Sequence, residues 1–182
     1  MHGLQGLGDQ LSRAVIAPPL SPLQRMIIDI DRAAASPLSR RHTAVAAALQ
    51  PYLGDPDLLR DTHCPCSPDR YVRHILHAGE DYTVLALVWR PGQMSPVHGH
   101  RSWCALGIHH GYMTETFFAP GPSGPIPRSC GERRVGDISH APADPNAIHR
   151  LANLGTETAI SIHVYGARHD RLGEQVNHVW AV

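Results

Sequence analysis

From Tyr71 onward the chain alternates short apolar runs with glycine, proline and Asx turns. Tyr82 to Trp89 (YTVLALVW) is the densest run, and its β-branched and aromatic content predicts a buried strand. YVRHILHA before it, with Gly79-Glu80-Asp81 between, reads as the first arm of a short hairpin. ALGI and YMTETFF are two more strands joined near His109-His110-Gly111. Ala119 to Gly131 (APGPSGPIPRSCG) reads as an exposed Pro/Gly loop, after which Glu132 to Val135 resumes a strand. ISHAP, HRLAN and TAISIHVYG close the series. About six to ten such strands imply a sandwich or barrel.

The first third has a different period. Ser21-Pro22 starts a helix by the cap-then-proline rule, and Leu23, Met26, Ile27 and Ile30 fall on one face of it. Ser36-Pro37 breaks it. A second helix is expected from Ser39 to Leu49, with Ala44, Ala47 and Ala48 as its contact face, and Asp57 to Arg60 adds one more turn. Residues 1–20 are expected as a loose tail, 21–66 as a helical cap and 67–182 as the β barrel of a single domain.

Composition narrows the function classes. The 182 residues carry 16 basic and 16 acidic side chains, so no strong field favours nucleic acid or an anionic membrane. The N-terminal segment holds no basic recognition helix. No run approaches membrane-spanning length, and the N-terminal residues show no charged and then apolar leader pattern, so a reducing cytoplasm is the expected compartment. Cys64, Cys66, Cys104 and Cys130 make no paired zinc pattern, and His63-Cys64-Pro65-Cys66 is too tight to wrap one ion, so it reads as a loop.

The chemistry concentrates in Pro91 to Gly111, where His98 and His100 flank one glycine. On a strand, positions i and i+2 share a face, so both imidazoles point the same way. Two such ligands need a third from elsewhere to hold a first-row metal. From the pair alone, ligation and an ordinary surface pair stand equally open.

Three motifs in order carry a family resemblance over roughly residues 71–168. Gly92, His98-x-His100, Cys104 and Gly111 resemble the first cupin motif, with Cys104 where most cupins have glutamate. Gly136, Pro142, His149 and Asn153 resemble the second, with two extra residues between Pro142 and His149. Ser161-x-His163-x-Tyr165 resembles the triad of the thiol dioxygenases, the cysteine dioxygenase family. The resemblance implies a mainly β fold, a cupin double-stranded β-helix barrel with a small N-terminal helical cap. It also implies one Fe(II) per chain held by His98, His100 and His149.

Under that resemblance a thiolate substrate supplies the anion that the all-histidine set lacks, and both atoms of O2 end on sulfur as a sulfinate. Ser161, His163 and Tyr165 alternate along one strand, and a relay through them would hold the phenol proton near the iron. Cys104 is near the position of a cysteine joined by a thioether to the triad tyrosine in animal relatives, one residue short of that spacing. A Cys104–Tyr165 thioether and a free buried thiol both remain open.

Tyr71-x-Arg73 resembles the place where cysteine dioxygenases offer an arginine to the substrate carboxylate. Arg168 and Arg171 follow the triad, nearer in idea to the mercaptopropionate enzymes, and WRPGQMSPVHGHRSW looks closer to bacterial members of that group. L-cysteine is the expected substrate, with 3-mercaptopropionate and mercaptosuccinate as alternatives. A metal-binding cupin sensor and a cupin isomerase are the readings from other classes. The expected partners are a small thiol and O2, with no nucleic acid and no membrane, in a monomer or small homo-oligomer.

Overall fold

The computed structural model describes residues 18–181, so the tail expected over residues 1–20 lies almost wholly outside the described residues. Two helices come first, α1 (Pro22–Ala34) and α2 (Leu38–Leu49). Ten strands follow: β1 (Val72–Ala78), β2 (Thr83–Trp89), β3 (His98–His100), β4 (Cys104–His110), β5 (Tyr112–Ala119), β6 (Ile126–Arg134), β7 (Ile138–Ala141), β8 (Asp144–Ala152), β9 (Ala159–Tyr165) and β10 (Asn177–Val179), with a short helix α3 (Leu172–Gln175) before the last. They form two five-stranded antiparallel sheets, in the orders β1-β2-β9-β4-β7 and β10-β3-β8-β5-β6. The fold is mainly β, a double-stranded β-helix with two N-terminal helices.

All seven residues of β2 are buried, because the strand is covered on both faces. Val84 and Ala86 pack outward, with Ala105, Ile162 and Val164 of the neighbouring strands, against Met26, Ile30, Val45 and Leu49 of the helices. Leu85, Leu87 and Trp89 pack inward with Leu106, Met113 and Leu151. Full burial of a side chain the size of Ile30 or Leu49 contributes about 1.5–3 kcal/mol, so the helices stabilise the sheet they cover. The same two-sidedness sorts β9: Ile162 and Val164 face the helices, while Ser161, His163 and Tyr165 face the barrel interior.

Helix α1 starts at the expected cap, with the Ser21 hydroxyl accepting from Gln24 N and the Gln24 side chain accepting from Ser21 N. On α2 the buried face is Val45, Ala46 and Leu49, while Ala47 is exposed, so the alanine face read from the sequence is rotated from the real one. The larger side chains win the contact because they bury more apolar area. Asp57 to Arg60 forms turns rather than helix.

Two further departures concern strands. The excursion expected over Ala119 to Gly131 is mostly strand: β5 runs to Ala119 and β6 begins at Ile126, leaving residues 120–125 as the loop. Strand β6 is the sheet edge and is exposed almost throughout, so it has no buried face to create alternation. Its Pro127 sits opposite Phe118 beside a register irregularity, a place where an edge strand tolerates the missing N–H. TAISIHVYG does not close the series. Strand β10 follows and pairs with β3, Asn177 opposite His100 and Val179 opposite His98.

Candidate metal centre

His98 and His149 face each other as Cα partners across the β3–β8 ladder, and a register irregularity separates that pair from His100. The ligand-type nitrogens of His98, His100 and His149 lie within 4.8 Å of one another, and all three residues are buried. The intervening glycine is required by close approach: a Cβ on Gly99 would meet the Pro145 carbonyl oxygen at 2.0 Å. Any larger residue would push β3 off β8 and pull the two histidines away from His149.

Hydrogen bonds define which nitrogens are free. His98 Nδ1 lies 2.9 Å from the Pro96 carbonyl, which can only accept, so its proton sits there and Nε2 is bare. His149 Nδ1 donates to Glu115 Oε1 at 2.8 Å, and His149 Nε2 is buried without a partner. His100 Nδ1 is also buried and unpartnered, as is Oδ1 of Asn177, its Cα partner on β10. Burial pushes His98 down to about 4 and His100 down to about 3, with the neighbouring His149 imidazole as the next contribution in both. Neutral buried imidazoles with orphaned nitrogens are what a divalent transition metal needs, and the residues present fit one.

These depressed values set a pH dependence. In an unfolded chain histidine titrates near 6.5, roughly the value at which it would take up its proton. Between there and about 3 the folded protein binds fewer protons than the unfolded chain, so stability falls as pH falls through that window. Urea midpoints of the metal-free protein are expected to be lower at pH ~5 than at pH ~7.5, where the contribution is fully present. Equal midpoints would contradict neutral burial of these rings.

Beside the histidines runs a hydrogen-bonded file along β2 and β9. The Trp89 indole N–H, a donor only, reaches Ser161 Oγ at 2.9 Å. The remaining neighbour of Oγ is His163 Nε2 at 2.8 Å, so the serine proton goes to that nitrogen. The ring hydrogen of His163 is then on Nδ1, donated to the Tyr165 oxygen at 2.9 Å. This order leaves the Tyr165 O–H proton for the cavity. Burial holds His163 well below its ordinary value and raises Tyr165, so the file is neutral around pH 7.

His98, His100, His149, His163, Tyr165, Tyr71, Arg73 and Cys104 all line one tight inner cavity of about 10 Å³. Tyr71 stacks on Trp89 with ring centroids 4.1 Å apart, and Arg73 Nη2 donates to the Tyr71 hydroxyl at 3.1 Å. Tyr71 and Arg73 also line a larger outer cavity of about 570 Å³, so they stand between the histidines and solvent. Cys104 is the Cα partner of Tyr165 across β4–β9, and burial pushes its thiol up to about 12. Arg168 does not line this cavity; it is exposed and pairs with Asp170 at 3.1 Å.

The sequence reading overlooked Glu115, Trp89 and Asn177. Glu115 carried one weak signal, a carboxylate two residues after Met113 and so on the same strand face, which became meaningful only once that face proved to be the interior. Trp89 read as ordinary core, and Asn177 belongs to a strand that was not expected.

A double-stranded β-helix with three buried, clustered histidines facing its interior has the architecture of a cupin-type metal site. The sequence profile of cysteine dioxygenase type I matches residues 13–173, and the chain belongs to that family, which consists of iron-dependent thiol dioxygenases. Among solved structures, an uncharacterized Klebsiella pneumoniae protein with a double-stranded β-helix domain is 19% identical, covering 65% of this chain and 86% of its own, with a TM-score of 0.50. A Thermus thermophilus protein is 19% identical over 64% of this chain and 99% of its own, with a TM-score of 0.49. An RmlC-like cupin from Methanocaldococcus jannaschii is 20% identical over 60% of this chain and 93% of its own, with a TM-score of 0.44. Among the described residues no helix is long and apolar enough to cross a membrane.

Proposed function

We propose that this protein is an Fe(II)-dependent dioxygenase that converts the thiol of L-cysteine to the sulfinate, RSH + O2 giving RSO2H. The observation that carries the reading is the single cavity in which three buried histidines, the Tyr165 hydroxyl and the Arg73 guanidinium meet. His98, His100 and His149 would hold the iron. Iron, when bound, supplies the Lewis acid that favours the thiolate and the redox chemistry that joins sulfur to dioxygen.

The chain's own residues do the rest. No carboxylate stands among the three histidines, which leaves the anionic position to the substrate sulfur. Arg73, at the mouth with its fork beside the Tyr71 hydroxyl, binds the substrate carboxylate and stays charged at any working pH. Tyr165 presents its proton to the reacting end because the Trp89–Ser161–His163 file occupies its lone pair. Tyr71 and Arg73 line both cavities, so a carboxylate seated on them would lie between the histidines and solvent.

Oxygen uptake by the Fe(II)-loaded protein against L-cysteine, 3-mercaptopropionate, mercaptosuccinate and cysteamine, with products identified by mass, tests this. L-cysteine is expected to turn over best and cysteamine, which lacks the carboxylate, worst. Preference for either of the other two acids would reassign the substrate within the same chemistry. Iron bound with no uptake on any thiol would sink the dioxygenase reading.

A further inference from the structure

Glu115 carries a charged side chain that is only 1% exposed, and nothing in the steps above uses it. Burying a carboxylate is costly unless its oxygens are satisfied. Here both are, by donors from three strands. Oε1 accepts from His149 Nδ1 on β8 at 2.8 Å. Oε2 accepts from Ser139 Oγ on β7 at 2.6 Å and from Arg133 Nε on β6 at 2.8 Å. Because β7 lies in the opposite sheet from β5, β6 and β8, the clamp also ties the two sheets together at this end. One oxygen is thereby reserved for the histidine, while the other takes the two supporting donors.

The geometry points to Glu115 as the positioning residue of the metal centre, which locks His149 with Nε2 bare and lends an otherwise uncharged ligand set a negative charge one imidazole away. This rests on the metal reading of the three histidines. An N–H bonded to a carboxylate makes the ring a stronger base at its other nitrogen, and such outer partners are commonly worth about 10- to 100-fold in metal affinity. Arg133 sets the strength. Its guanidinium, with a side chain 32% exposed against 1% for Glu115, partly neutralises the carboxylate from the solvent side. The carboxylate's charge is held behind a ligand instead of on the metal, which leaves the coordinating anion to the substrate.

Opposite responses of two variants test this. Glu115→Gln keeps an acceptor oxygen for His149 but removes the charge. Arg133→Gln keeps the charge and removes its neutraliser, at a partly exposed position that tolerates the change. In Fe(II) competition against a chelator, Glu115→Gln is expected to bind roughly 10- to 100-fold more weakly and Arg133→Gln more tightly than the wild type. The Fe(III)/Fe(II) potential is expected to rise in the first and fall in the second. A role confined to holding the fold would weaken binding in both, so shifts of the same sign, or none, would overturn the proposal while leaving the histidine site intact. Should Glu115→Gln fail to unfold cooperatively, the sign for Arg133→Gln decides alone. Wild-type protein that binds no Fe(II) would overturn both this proposal and the metal reading beneath it.

Discussion

Replacing His149 by alanine is expected to leave protein that retains no iron through desalting and shows no thiol-dependent oxygen uptake. His149 is the proposed ligand from the second motif, across the β3–β8 ladder from His98, and its Nε2 is buried without a protein partner. Two histidines on one three-residue strand cannot enclose an ion, so the loss should exceed the roughly 10- to 100-fold of an outer hydrogen bond. The substitution also strands Glu115 Oε1 in the interior without its donor. An unsatisfied buried acceptor costs about 1–3 kcal/mol, so the urea midpoint of the metal-free protein should fall as well. Metal analysis on the desalted variant is the check, and unchanged iron content would remove His149 from the ligand set.

Arg73→Ala is expected to act on substrate and spare the metal. A charge-assisted hydrogen bond to a carboxylate is worth about 1.5–3 kcal/mol, so kcat/KM for carboxylated thiols should fall roughly 10- to 100-fold. Most of the loss belongs in KM, because the guanidinium holds a group that does not react. Cysteamine, with no carboxylate, should be indifferent to the change, and iron content should stay at the wild-type level. Arg73→Lys restores the charge without the planar fork, and an intermediate KM is expected. A KM that does not move would place the carboxylate anchor on another residue. Arg168, exposed and engaged with Asp170, is poorly placed to be that anchor.

Strand elements with a strong internal pattern were legible in the chain itself. YTVLALVW is strand β2, and Ser21-Pro22 begins α1, because local capping and burial preferences agree with the tertiary context there. The His98-x-His100 face was legible for the same local reason, since alternation along one strand needs no partner to define it. Strands β6 and β10 were not legible. Strand β6 is an exposed edge with prolines and glycines leading into it, and β10 is three residues long and exists through its pairing with β3. The contact face of α2 failed differently: its helical period was visible, but which stripe faced the sheet depended on what the sheet offered.

The residue types that meet in the cavity, and their order along the chain, were determined by the sequence alone. Histidine is the neutral nitrogen ligand, arginine the permanent cation and tyrosine the buried proton, wherever the fold carries them. Only the tertiary structure decided which of them meet. Arg73 reaches the mouth and Arg168 turns to Asp170, although both followed the same carboxylate logic in sequence. Glu115, only weakly marked in the linear pattern, and Trp89, which read as ordinary core, become partners of His149 and Ser161 because β5 lies beside β8 and β2 beside β9. Hydrogen-bond partners are chosen by register between strands far apart in the chain, and register is a property of the packed sheets rather than of any one segment.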